Sequence, residues 1–259
     1  MSKIHFITIC ASNKLETPSP AIDLYKGSYW GIVKEISKLV DYTWILSAKY
    51  GVISSQQVIE PYKLSFKPDS PDYIGHKGLK PRGYWDAINC YNGDSSITNL
   101  INRYPKDKFV MYASFSYMKA IKNDILPSIN NPNLYIFSPD TKGKEFTPHI
   151  LKTSLKAKAI LGGNKITITA LTIKHFLENI SEIGWDKTNI NSYFKNMVKD
   201  QPEYNYNPPK QKVEDNFIKK MILDIGINTP KTTLLKTISK KGYACGPNRF
   251  HRILNDLKS

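Results

Sequence analysis

The sequence predicts an α/β fold in which a central, mostly parallel β-sheet is flanked by helices and followed by a C-terminal helical appendage. Two observations lead to this prediction. Short hydrophobic segments, rich in β-branched and aromatic residues, alternate with segments of helical periodicity through residue 140, and helical patterns alone continue after His149. We therefore expect an α/β domain at residues 1–160 and a helical appendage at residues 161–259.

Four buried strands are predicted from short, hydrophobic, β-branched or aromatic runs that end in small residues. They lie at residues 3–10, 42–47, 109–113 and 134–138. A serine falls at or just beyond the end of each strand, and these are Ser12, Ser47, Ser114 and Ser138. Ligands of such sheets gather at the carboxyl ends of the strands, so we expect this edge to carry the site.

Helices are predicted where apolar residues recur three or four positions apart. They lie at residues 28–39, 83–91, 97–104, 116–129, 170–180, 189–199 and 213–225. A polar, proline-containing stretch at residues 200–209 is interpreted as a loop rather than a domain linker. The C-terminus predicts a short helix, a tight turn around Gly242 and a final helix from near Pro247.

Net charge is the most informative bulk property. The chain has 37 Lys and Arg against 22 Asp and Glu, a formal charge of +15, and the excess continues to the C-terminus. A nucleic acid is therefore the favoured partner, the alternative being a merely lysine-rich composition. The two last helices suggest a helix-turn-helix, or else a basic helix that packs on the domain. The basic residues proposed to hold DNA there are Lys240, Lys241, Arg249, His251 and Arg252.

Several classes are disfavoured. No segment has the apolar length of a membrane span, and the N-terminus resembles a strand rather than a signal peptide, so we expect a cytoplasmic protein with no membrane partner. Cys10, Cys90 and Cys245 are too few and scattered for disulfides or a zinc cluster, so free thiols and no metal or cofactor are expected. Phosphate-loop, zinc-deaminase and nucleophile-elbow motifs are absent. A metal-dependent nuclease around Asp140 is a weak third option.

Five motifs follow one another in the first half of the chain. They are CASNK at 10–14, DLYKG at 23–27, ILSAKYGVI at 45–53, EPYKLSF at 60–66 and ASFSYMKAI at 113–121. In this order they resemble the YaaA-like peroxide-stress proteins and their shorter bacterial and phage-borne relatives, across roughly residues 3–140. The resemblance implies DNA binding and a relation to the uracil-DNA glycosylase superfamily, including anti-phage enzymes that excise glucosylated hydroxymethylcytosine.

The resemblance also suggests catalytic residues. Asp23 and Tyr25 are similar to the water-activating loop of uracil-DNA glycosylases, and a carboxylate beside the anomeric carbon would stabilise the positive charge of the transition state. The alternative for Asp23 is a helix N-cap. Lys49 is a candidate for a different reason, its place just past a strand end: it would contact the phosphates or base edge of a flipped nucleotide, or act as a lyase nucleophile by forming a Schiff base with the abasic sugar.

A base pocket is expected at the strand ends. Its candidate residues are Ser12, Asn13, Lys14, Tyr25, Ser47, Tyr50, Ser114, Tyr117 and Ser138, with Lys119 on the DNA phosphates. The simpler alternative to a role in the pocket is that the serines cap helices or turns and that the tyrosines are core residues. Tyr29 and Trp30 would stack on an extruded base or belong to the core.

The resulting hypothesis is a monomeric, metal-free DNA glycosylase that flips a modified base out of double-stranded DNA and leaves an abasic site, in anti-phage defence. The competing hypothesis is a DNA-binding stress protein of the YaaA type that has no catalytic activity. The two differ in whether an abasic product forms.

Overall fold

The structure is a computed structural model that describes residues 2–91, 96–139, 146–202 and 211–257, without the side chains of residues 90 and 91. The chain forms two compact units, Met1–Pro202 and Glu203–Ser259. The boundary therefore follows Pro202 rather than residue 160, where the sequence predicts it. Each unit is described by itself.

The first unit contains a six-stranded sheet. The strands in the described part of this unit are β1 (Ile4–Ile9), β2 (Ser19–Pro20), β3 (Tyr42–Ser47), β4 (Gly51–Ser54), β5 (Val58–Ile59), β6 (Lys108–Tyr112), β7 (Leu134–Ser138) and β8 (Ile150–Lys152). The main sheet has the order β4-β3-β1-β6-β7-β8, and β2 pairs with β5 separately. All neighbours in the main sheet are parallel except β4, which runs antiparallel to β3. The predicted mostly parallel α/β fold is confirmed, including its four central strands.

Helices cover this sheet. They are α1 (Ala21–Leu24), α2 (Ser28–Ile36), α3 (Pro81–Tyr91), α4 (Ile97–Arg103), α5 (Phe115–Ala120), α6 (Lys122–Ile125), α7 (Lys158–Leu161), α8 (Ile168–Glu178), α9 (Ile180–Ile183) and α10 (Lys187–Met197). The single helix predicted at 116–129 is divided, because Ile121 leaves helical geometry (ψ 8°) between α5 and α6.

Helix α8 explains why residues 161–202 belong to the first unit. Its Ile173 and Phe176 are fully buried in the core of the sheet, and the Phe176 ring lies 5.4 Å from that of Phe137 on β7. Lys174, on the same helix, forms an ion pair with Glu35 of α2 at 2.6 Å. A helical periodicity does not reveal which core the helix joins, so the sequence could not place this segment.

A buried carboxylate organises the corner between α3, α4 and α6. Asp124 of α6 accepts hydrogen bonds from the indole N–H of Trp85 (3.0 Å), the amide of Asn89 (3.0 Å), and the backbone N–H groups of Ile97 (2.9 Å) and Thr98 (3.2 Å). The last two are among the first N–H groups of α4, which no intrahelical carbonyl can satisfy. Asp124 therefore fixes the start of one helix to the side of another.

The second unit is a small helical body. It comprises β9 (Gln211–Lys212), α11 (Asp215–Ile225), α12 (Lys231–Lys240), β10 (Tyr243–Ala244) and α13 (Pro247–Asp256). Its core is formed by Ile218, Met221, Ile222, Leu234, Ile238, Phe250, Ile253 and Leu254. Gly242 has a φ of 88°, so the predicted tight turn is present and needs a glycine there. The stretch at 200–209, interpreted as a loop rather than a domain linker, contains the boundary between the two units, and most of it lies outside the described residues.

No helix in the described ranges is both long and apolar enough to cross a membrane. Cys10 and Cys245 are free thiols, as predicted, while the side chain of Cys90 is outside the described part. The predicted nuclease carboxylate, Asp140, also falls outside the described residues.

Candidate functional site

A cavity of about 670 Å³ opens at the carboxyl ends of β1 and β6, and we call it the first cavity. Parts of five segments line it, at residues 9–13, 26–30, 64–69, 112–117 and 165–166. Parallel strands deliver their following loops to one edge, so these segments meet although they are distant in sequence. This is the edge at which the sequence predicts the site.

A group of buried hydroxyls lies beside and within the wall of this cavity, and we call it the hydroxyl cluster. Tyr62 Oη is 2.8 Å from both Tyr25 Oη and Ser47 Oγ, and Tyr117 Oη is 2.8 Å from Cys10 Sγ. Burial raises the pKa of all three tyrosines well above the ordinary value. They therefore stay neutral at physiological pH and serve as hydrogen-bond donors and acceptors.

The hairpin between β3 and β4 holds Ser47 in this cluster. Ser47 Oγ accepts hydrogen bonds from the backbone N–H groups of Lys49 (3.2 Å) and Tyr50 (3.1 Å), and Gly51 then turns the chain with a φ of 74°. The capping role that the sequence favours for Ser47 is therefore present. The same hydroxyl also meets Tyr62, so it links the turn to the cluster.

Lys14 is a half-buried cation on the hydroxyl cluster. Its Nζ lies 4.2 Å from the centroid of the Tyr62 ring and 5.7 Å from that of Tyr25. Burial lowers the pKa of Lys14, while the charges of Cys10 and Asp72 act in the opposite direction. Desolvation destabilises the ammonium, so Lys14 is the lysine at this edge whose surroundings favour an attacking or anion-binding amine.

The structure brings most of the predicted pocket residues together. Ser12, Asn13, Ser114 and Tyr117 line the first cavity. Lys14, Tyr25, Ser47 and Tyr50 belong to the hydroxyl cluster or contact it, since the Tyr50 ring packs edge-on against Tyr62 with centroids 5.5 Å apart.

Ser138 and Lys49 are among the predicted residues that are not on the cavity wall. Ser138 is buried at the end of β7, where its carbonyl accepts a hydrogen bond from the backbone N–H of Thr153 (3.1 Å), and it is not part of the cavity wall. Lys49 places its Nζ 4.8 Å from the Tyr50 ring centroid and is not on that wall either. Lys14 is not on that wall either, but it lies over the Tyr62 and Tyr25 rings of the hydroxyl cluster, and burial lowers its pKa, which favours the neutral amine that a Schiff base requires.

Asp23 is not on the wall of the first cavity. Its carboxylate is 54% exposed and pairs with Lys34 of α2 at 2.8 Å. It does not cap α2 either, because the N-cap of that helix is Gly27. The acidic residue on the described wall is Asp69, which pairs with Lys67 at 3.1 Å. Sequence reasoning missed Asp69, which sits in a proline-containing loop with no motif of its own.

Trp30 contributes a buried donor to the same wall. The side chain is only 1% exposed and stacks on Tyr25 with centroids 4.6 Å apart. Its Nε1 has no hydrogen-bond partner among the described residues. A buried donor without a partner costs about 1–3 kcal/mol, so an acceptor supplied by a ligand would be stabilising if it reached this atom.

A second cavity of about 610 Å³ adjoins the first, since Ser116 lines both. Aromatic and basic side chains dominate its wall. Lys119, predicted to contact DNA phosphates, is among them and lies with its Nζ 5.1 Å from the centroid of the Phe115 ring.

The predicted DNA-binding residues of the second unit divide into two groups. Lys240, Lys241 and His251 have exposed side chains. Arg249 is occupied within the unit: it donates to Asp215 Oδ1 (2.7 Å) and to the carbonyl of Val213 (2.5 Å). Arg252 is more exposed and also donates to Asp215, at 2.6 Å. Arg249 therefore holds α13 to the start of α11 and is engaged by these contacts.

Comparisons with known proteins give one match. Neither the curated proteins nor the solved structures that were compared contain a significant match to the chain. A family match spans residues 4–134, from β1 to the first residue of β7, and includes the hydroxyl cluster and every segment of the first cavity except 165–166. The match covers half of the chain, and the protein therefore belongs to DUF6884, a family of unknown function.

Proposed function

We propose that the protein binds DNA, receives an extruded nucleotide in the first cavity and hydrolyses the glycosidic bond of a modified base. The observation that carries the proposal is the cavity itself. Its volume of about 670 Å³ is within the usual range of small-ligand pockets, and its wall combines aromatic rings, neutral hydroxyls, Asn13 and lysines. Extruded bases are recognised by stacking and by hydrogen bonds to their edges, which such a wall can supply.

The chemistry requires a carboxylate near the sugar. Cleavage of a glycosidic bond develops positive charge on the ring, and a carboxylate stabilises that charge or orients the attacking water. The proposal assigns this role to Asp69 rather than Asp23, because Asp69 lines the cavity and Asp23 pairs with Lys34 outside it. Lys14 and the overall charge of +15 favour the sugar-phosphate backbone.

The first prediction tests this assignment. DNA that carries glucosylated hydroxymethylcytosine, and matched unmodified DNA, are incubated with the protein, and abasic sites are revealed by alkaline cleavage. We expect Asp69→Asn to lower the excision rate by roughly 10²–10⁴-fold with little loss of DNA affinity, because the variant keeps the side chain's size and removes only its charge.

Asp23→Asn is the matched control and is expected to retain excision. The reverse result would return the catalytic role to Asp23. Activity that disappears in EDTA would favour a metal-dependent nuclease around Asp140 instead.

The second candidate function is DNA binding without catalysis. The observation that favours it is the state of Asp69, which is 71% exposed and already paired with Lys67. Binding to DNA without any abasic product, on every modification tested, would support this alternative and contradict the glycosylase proposal.

A further inference from the structure

The second cavity is a candidate binding site in its own right. Its volume is about 610 Å³, and its described wall includes the aromatic residues Phe66, Tyr73, Phe115 and Phe146. Phe66 and Phe146 are each only 1% exposed, whereas Phe115 and Tyr73 are half-buried, so the latter two present ring surface to an incoming group. Aromatic side chains of this kind are the platforms on which nucleic-acid bases stack.

The charge of the wall is strongly one-sided. Lys80, Arg82, Lys119 and Lys122 line the cavity, against one acidic residue on the described wall, Asp86. The Asp86 carboxylate is engaged, since it accepts a hydrogen bond from the Asn123 amide at 2.7 Å. An anion is therefore the complementary occupant, and cations combined with aromatic rings are typical of sites for single-stranded nucleic acid.

The two cavities share a wall. Ser116 lines both cavities. Of the residues near it in the chain, Phe115 and Lys119 line the second cavity and Tyr117 lines the first. One short helix, α5, thus supplies residues to both sites. Groups bound in the two cavities at the same time would be close neighbours.

We propose that the second cavity binds the nucleotide adjacent in the DNA strand to the one in the first cavity, with its base on Phe115 and its phosphate held by Arg82 and Lys119. The site would thereby fix the strand that leads into the first cavity. The placement relative to an extruded nucleotide rests on the proposed function, but the affinity of the second cavity for single-stranded DNA does not.

The test measures binding of a short, unmodified single-stranded oligonucleotide to the full chain by fluorescence anisotropy at several salt concentrations. Phe115→Leu is expected to weaken binding by roughly 5- to 150-fold, the range for loss of one stacked base. Arg82→Ala with Lys119→Ala is expected to weaken binding and to reduce the salt slope by about 0.7 for each lost phosphate contact.

Lys106→Ala is the matched control, because this exposed lysine precedes β6 and lies at the opposite edge of the sheet. It removes one positive charge away from the cavity and is expected to leave affinity nearly unchanged, and its small effect is compared with half of the change in the double variant. Circular dichroism establishes that each variant is folded. If Phe115→Leu does not fold, the variant with Arg82→Ala and Lys119→Ala still tests the site.

The outcomes separate the two proposals. Loss of oligonucleotide binding in both variants, with no excision by the wild type, would support this site and remove the glycosylase. Excision by the wild type with unchanged oligonucleotide affinity in both variants would overturn this site alone. No measurable binding of the oligonucleotide by the wild type would also overturn it.

Discussion

Lys14 is a cation whose burial opposes the stability of the fold. Its ammonium lies over the Tyr62 ring in a half-buried position, and desolvation lowers its pKa from the usual 10.5. A lysine with a lowered folded-state pKa destabilises the fold below that pKa, and this penalty disappears as the pH rises towards 10.5. Residues of this kind are common in binding sites, where stability and function oppose each other.

We predict that Lys14→Met keeps or raises the unfolding temperature near pH 7 while weakening DNA binding. The methionine fills similar space without the desolvation of a charge, and it removes the phosphate contact proposed for Lys14, which is expected to lower the salt slope for duplex DNA by about one unit. The stability gain is expected to shrink as the pH approaches 10.5. Thermal unfolding at several pH values and a salt titration of DNA affinity measure both effects; a clear loss of stability at pH 7 would contradict the prediction.

Several site residues were predictable from their position after strand ends, although Ser138, at the end of β7, is not on the wall. Ser12, Asn13 and Ser114 follow predicted strands directly, so their position at the cavity needed no knowledge of long-range packing. Asp69 and Trp30 could not be assigned in this way. Asp69 lies in a loop that does not directly follow a predicted strand. The indole N–H of Trp30 has no partner among the described residues, and this depends on which groups pack around it.

At the scale of elements, the four central strands were predictable because each is hydrophobic throughout. Strands β4 and β8 were missed for a physical reason: they have four and three residues, too few for a periodic signal, and they exist by pairing with β3 and β7. The division of the predicted helix at Ile121 is likewise set by tertiary contacts, since it places Asp124 beneath α4.

We predict that Asp124→Ala lowers the free energy of unfolding by about 3–5 kcal/mol. The substitution leaves the buried donors of Trp85, Asn89, Ile97 and Thr98 without their acceptor, and each buried unsatisfied group costs about 1–3 kcal/mol before relaxation. Urea unfolding followed by tryptophan fluorescence measures the change.

Asp86→Ala is the appropriate comparison, since it removes a carboxylate of α3 that accepts a hydrogen bond from the exposed amide of Asn123. We expect an effect below about 1 kcal/mol there. Equal destabilisation by the two variants would show that the corner is not organised by Asp124.

At the scale of the whole molecule, the two units have separate hydrophobic cores, and their chemistry differs. All four tryptophans, at positions 30, 44, 85 and 185, lie in the first unit, together with both described cavities. From Glu203 onward the chain has 11 basic and 5 acidic residues, a high positive charge for its length. The sequence could predict the helical character of the second unit but not its start, because the patterns of α8 and α10 resemble those that follow.

Arg249 provides a test of whether the second unit folds as a body of its own. Arg249→Ala removes charge-assisted hydrogen bonds to Asp215 and to the carbonyl of Val213, which join α13 to the start of α11. We predict that the variant loses helical circular dichroism at lower urea concentration while the tryptophan fluorescence transition, which reports on the first unit, stays where it is in the wild type.

Lys241→Ala, which removes an exposed charge next to the turn at Gly242, is expected to change neither transition. A shift of the fluorescence transition in Arg249→Ala would mean that the two units unfold together, and an unchanged dichroism curve would mean that Arg249 does not hold α13 to α11.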